Sequence, residues 1–152
     1  MIYFDNAATT RAADEVAEKV KHMLLENFGN PSSQSMMGVN AEKEMNEARK
    51  IMAQSINALP EEIYFTSGGT EDDNWAIFGT AEGYIRSGKH MITTSIEHPA
   101  VLMPMRHLEE KGWDITVLDV DESGYIDIEK LKAAVREDTV LVSTILINNE
   151  TG

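Results

Sequence analysis

Three short polar stretches of this sequence carry residue types that can do chemistry together: Ser67-Gly68-Gly69-Thr70, Ser95-Ile96-Glu97-His98-Pro99 and Asn148-Asn149-Glu150. Adjacent glycines let a backbone approach a ligand closely and adopt positive φ. If a helix starts there, its first amides and its dipole face an anion, and a phosphate is the natural guest. Thr70 can cap that helix or offer its hydroxyl to the phosphate. The stretch lacks the Gly-Lys-Ser/Thr ending of a P-loop and the G-x-G-x-x-G spacing of a dinucleotide loop. A tight turn and a cap with no ligand account for the same residues. Glu71, Asp72 and Asp73 complement the dipole of a first helical turn. They would repel a phosphate if they faced it, so their side chains are expected to point away from the amides.

In the second stretch, Pro99 suits the first position of a helix, which sets His98 at the helix mouth. An imidazole there can stack on a flat ligand or transfer a proton near neutral pH. It can also be an ordinary cap or surface residue. In the third stretch, an Asn side chain donates and accepts in a fixed geometry, and a simple turn is the alternative. His22, His90 and His107 have no comparable placement.

The elements that would position these stretches follow from hydrophobic rhythm. Val16, Val20, Met23 and Leu24 share a helical face, and the helix should stop near Gly29, before Asn30-Pro31. Ser32 to Ser35 reads as a loop, and a second amphipathic helix is predicted from about Ala41 to Asn57. Strands are predicted at Ile63–Phe65, Met91–Thr94, Ile115–Leu118 and Thr139–Ile147. Helices are predicted from Thr70 to about Ser87, Pro99 to about Lys111 and Ile128 to Val135. The alternation argues for an α/β fold with a mainly parallel sheet and helices on both faces, preceded by N-terminal helices. The last run is almost unbroken in its apolar character, as expected of a central strand covered on both sides. Each chemical stretch follows a predicted strand, where open α/β sheets bind ligands, and if those strands are neighbours the three converge on one crevice.

The chain of 152 residues has the size of one domain, and 42% hydrophobic with 26% charged residues marks a globular protein. A formal charge of −13 with scattered Lys and Arg argues against a nucleic-acid face. There is no cysteine, hence no disulfide and no thiolate metal site in this stretch; no metal is expected. No apolar run is long enough to span a bilayer and no signal peptide opens the chain, so no membrane is expected and a cytoplasmic location is the default. The nine methionines read as core filler. A chain ending just past an apolar strand is expected to be the N-terminal part of a longer polypeptide. About 1–58 would form the helical segment and 59–152 the start of an α/β core.

Taken in order, "YFDNAATT", "NFGNPSS", "FTSGGTE", "EHPAV" and "NNETG" resemble the NifS/IscS-type cysteine desulfurases of the class V aminotransferase family. The resemblance runs from Tyr3 to Gly152. It implies part of the large domain of a pyridoxal phosphate (PLP) transferase. It implies that Gly69 and Thr70 hold the PLP phosphate, that His98 stacks on the ring and helps move protons, and that Asn149 hydrogen-bonds near the phenolic oxygen. The Asp5–Thr10 and Asn30-Pro31 loops would help wall the substrate pocket. The implied reaction takes sulfur from L-cysteine, giving alanine and an enzyme persulfide, in a homodimer that serves an acceptor such as an iron–sulfur scaffold or a thiolation protein. The family's cofactor-linking lysine and persulfide-carrying cysteine lie beyond residue 152, so the segment alone is expected to be inactive. Ser35-Met36-Met37-Gly38 stands where the family often has His-Ser-Phe-Gly. The alternatives are another class V enzyme, such as a selenocysteine lyase or an aminotransferase, and a naturally short binding or assembly module.

Overall fold

The computed structural model describes residues 2–151. The chain divides into two compact units, one up to Phe65 and one from Thr66.

The first unit holds helices α1 (Asp14–Leu25) and α2 (Met36–Ser55), then a single 3₁₀ turn at Pro60–Glu62. Lys19 Nζ on α1 meets Glu44 Oε2 on α2 at 2.5 Å. The link between these helices is a close backbone crossing. A Cβ on Gly29 would collide with the Met37 carbonyl, and one on Gly38 with the carbonyls of Ser33 and Asn30. Ser35 caps α2, its Oγ accepting from Gly38 N at 3.2 Å. That cap is why α2 begins at Met36 rather than near Ala41. The strand expected at Ile63–Phe65 is absent. Ile63 is extended, but its carbonyl accepts from Arg49 Nε at 3.1 Å, and the Arg49 guanidinium lies over the Phe65 ring. The segment joins no ladder among the described residues, and extended backbone becomes a strand only by pairing.

The second unit is an α/β layer. Helix α3 (Gly69–Gly83) precedes β1 (His90–Thr94), α4 (Pro99–Glu110), β2 (Asp114–Leu118), α5 (Ile128–Ala134) and β3 (Thr139–Val142). The three strands are parallel in the order β2-β1-β3, so the central strand is β1. Every β1 residue is buried, whereas β2 and β3 are partly exposed edges. Met91 lies in register with Ile115 and Leu141, a row of apolar side chains across the sheet. Ile77 and Ala81 of α3 and Val101, Met105 and Leu108 of α4 join Met91 in the core. Helix α5, capped by Asp127, packs along β2.

Strand alternation turns His90 to the other face. There its ring bridges Thr139 and Thr116, with Nδ1 at 2.7 Å and Nε2 at 2.8 Å from their hydroxyls. One imidazole thus ties both edge strands to the centre. The long final strand of the sequence reading is corrected in two ways. The strand ends at Val142 rather than Ile147, and among the described residues it lies at an edge. Past Val142 one further backbone bond forms, from Ser143 N to the Ile92 carbonyl at 2.9 Å, and the chain then leaves β1 although Thr93 and Thr94 still lie ahead.

Candidate functional site

Helix α3 starts at an unusual backbone position. Its cap residue Gly68 has φ 153° and ψ 175°, a region open essentially to glycine alone. The conformation lets the chain turn from Ser67 into the helix. The Gly68 carbonyl then accepts from the Glu71 and Asp72 amides, at 2.9 and 3.2 Å. The amides of Gly69 and Thr70 donate to no acceptor among the described residues. No atom would lie within 4 Å of a Cβ added at either Gly68 or Gly69. Two unsatisfied N–H groups at the positive end of a helix dipole, with open approach, suit the oxygens of an anion.

The acids do not spoil this arrangement. Glu71 Oε2 folds back to accept from Ser67 N and Ser67 Oγ, at 2.8 and 2.6 Å. These bonds hold its carboxyl below the ordinary glutamate range, the Ser67 hydroxyl contributing most. Asp72 accepts from Thr66 Oγ1 at 2.7 Å. Both side chains brace the approach to the helix and leave the first amides free.

His98 caps α4. Its Nδ1 accepts from Ala100 N at 3.1 Å. In the neutral ring the proton is then on Nε2, so Nε2 is the nitrogen available to a ligand. The ring is exposed. The cap reading and the ligand reading are therefore compatible, because they use different nitrogens.

Asn74, which the sequence reading did not single out, joins the two helix starts. Its Nδ2 donates to the Thr70 carbonyl at 2.7 Å and to the Ala100 carbonyl at 3.3 Å. One turn past Thr70 on the same helical face, its place could have flagged it. Thr70, Asn74 and His98 line one open cleft of about 500 Å³, floored by Phe78, Met103 and His107.

The third stretch approaches by a different route. Asn149 is exposed in the turn after β3 and does not line this cleft. Its neighbour Asn148 makes the structural bonds. Asn148 Nδ2 donates to the Ile96 carbonyl at 2.8 Å, and Asn148 Oδ1 accepts from Glu150 N and Thr151 N. The turn is thus pinned to the loop that ends in His98. Gly152, the last residue of the "NNETG" motif, lies outside the described residues. The Asp5–Thr10 and Asn30-Pro31 loops belong to the first unit.

The residues present fit a phosphate-bearing, flat cofactor of the PLP type. The open amides answer the phosphate, and an imidazole with a free Nε2 shares a cleft with Thr70.

The sequence matches the family described as Aminotransferase class-V over residues 2–152. It is 52% identical over 152 residues to the cysteine desulfurase IscS of Neisseria meningitidis serogroup C (strain 053442), covering 99% of this chain and 38% of that protein. Among solved structures, a NifS-like protein superposes with a TM-score of 0.94 at 42% identity, over 97% of this chain and 41% of that one. The structure described as SspA in complex with cysteine superposes with a TM-score of 0.91 at 38% identity, over 97% of this chain and 43% of that one. The chain therefore spans under half the length of the relatives it matches.

Proposed function

We infer the function from one premise: the chain belongs to the class-V aminotransferase family. It is the N-terminal part of a PLP-dependent cysteine desulfurase, which takes sulfur from L-cysteine and leaves alanine and an enzyme persulfide. The division into a helical segment to about residue 58 and the start of the α/β core from 59 is part of this reading. The observation that carries it is the pair of open amides at Gly69 and Thr70, in a chain 52% identical to a protein named cysteine desulfurase.

When bound, PLP supplies an electron sink for the α-carbon of an amino acid. The roles of this chain's own residues are binding and proton holding. Gly69 N–H, Thr70 N–H and the Thr70 hydroxyl bind the phosphate as hydrogen-bond donors. His98 sets its ring against the cofactor and holds a proton at Nε2, since Nδ1 is engaged by Ala100. Asn149, by the family resemblance, would donate to the phenolic oxygen. Asn74 keeps the starts of α3 and α4 together.

The same reading makes the protein a cytoplasmic homodimer that delivers sulfur to an acceptor protein, such as an iron–sulfur scaffold. No described helix is long and apolar enough to cross a membrane. The full-length polypeptide incubated with PLP and L-cysteine should release alanine. Selenocysteine as the preferred substrate would move the assignment to a selenocysteine lyase. Failure of both substrates to yield alanine would remove the desulfurase reading.

A further inference from the structure

The ladder between β1 and β3 runs on to a defined last step. Ser143 N donates to the Ile92 carbonyl at 2.9 Å. In a parallel ladder the next donor, Ile145 N, would reach the carbonyl of Thr94. Instead it donates to Glu97 Oε1, at 2.6 Å. Thr94 Oγ1 donates to that same oxygen at 2.7 Å. Glu97 is only 7% exposed and Thr94 1%. A buried carboxylate has taken the place of the strand's last backbone acceptor.

The consequence is geometric. The chain after β3 leaves the sheet at Ile145 and is held by two adjacent residues of the loop after β1. Glu97 holds the Ile145 amide, and the Ile96 carbonyl holds Asn148 Nδ2. That loop ends at His98, and the held segment ends in the Asn148-Asn149 turn. Both donors meet one oxygen, and a charged acceptor shortens and strengthens such bonds.

We propose that Glu97 is a positioning residue, whose carboxylate ends the β1–β3 ladder and fixes the Asn148-Asn149 turn relative to His98. The role rests on the proposed function, in which His98 and Asn149 both meet PLP. Without the carboxylate, the Ile145 amide is released to pair with the Thr94 carbonyl. The strand then lengthens and carries the turn away from His98.

The test compares the full-length wild-type protein with Glu97→Ala, Glu97→Gln and Glu97→Asp. Three quantities are read: hydrogen exchange at the Ile145 amide, the Kd for PLP from its visible absorption, and the thermal midpoint. Glu97→Ala should alter Ile145 exchange and raise the PLP Kd about tenfold or more, because small misplacements of binding groups cost that much. Glu97→Gln keeps an oxygen at the same reach, so it should restore both quantities. An unchanged Kd in Glu97→Ala overturns the role, and so does a raised Kd that Glu97→Gln fails to rescue. If Glu97→Ala does not fold, Glu97→Asp decides. Its carboxylate is one methylene too short for Ile145, so an unchanged Kd there overturns the role as well. A wild-type protein that binds no PLP overturns the proposed function and this role with it, while Ile145 exchange still shows whether the tie exists.

Discussion

On the proposed reading Gly68 and His98 each combine a backbone duty with a ligand duty, and substitution can separate the two. Gly68 sits where only glycine is at ease, so Gly68→Ala should cost about 1–3 kcal/mol of stability. The same change should tilt the Gly69 and Thr70 amides and weaken PLP binding. Urea unfolding beside a PLP titration checks both effects, and an unchanged unfolding midpoint would contradict the strain argument. For His98 the separation uses Asn, a good helix cap. His98→Ala should lose about 0.5–2 kcal/mol of stability through the lost cap, whereas His98→Asn should lose far less. Both should bind PLP more weakly. Full PLP affinity in His98→Asn would remove the ring contact and leave only the cap. The sequence marked these residues by their place at expected helix starts, where a turn or a cap explains them equally well, and the family resemblance is what favoured a ligand. It did not reveal Asn74 or Glu97, whose importance arises from partners far along the chain, the carbonyl of Ala100 and the amide of Ile145.

At the scale of elements, His90 gives the sheet a dependence on pH. Its burial pushes the imidazole below the ordinary value of 6.5, helped by the Arg136 charge and opposed by Asp114 and Asp138. The unfolded chain then binds the proton more readily than the folded one. Stability is full above about pH 6.5 and falls as the pH drops from there toward the lower folded value. Unfolding free energies from about pH 8 to about pH 5 should show this acid-side loss, and His90→Gln should flatten it. An equal slope in both proteins would sink the idea. The strand and helix order of the second unit was legible because hydrophobic rhythm depends on neighbours in sequence. Strand ends were less legible because they depend on partners. The apolar run to Ile147 reads as strand throughout, yet the strand ends at Val142, the last ladder bond comes from Ser143 N, and Glu97 captures the Ile145 amide. Ile63–Phe65 has strand composition, but Arg49 holds it in place of a neighbouring strand.

For the molecule as a whole, the family was legible from five ordered motifs, and the match across residues 2–152 agrees with them. Composition alone pointed only to a globular protein, and hydrophobic rhythm only to an α/β one. The motifs went further because they fix particular residue types in a set order along the chain. Gly29 of "NFGNPSS", for example, serves with Gly38 a close crossing of backbone between α1 and α2. The central claim is that the start of α3 and the mouth of α4 hold PLP for sulfur removal from cysteine. The most direct measurement titrates the full-length polypeptide with PLP, then adds L-cysteine and follows alanine, for wild type and Thr70→Val. The account predicts saturable PLP binding, PLP-dependent alanine release, and a PLP Kd raised about tenfold by loss of the Thr70 hydroxyl, roughly the 1.4 kcal/mol of one bond to a charged group. Wild-type protein that neither binds PLP nor forms alanine, or a Thr70→Val protein indistinguishable from it, would contradict the account.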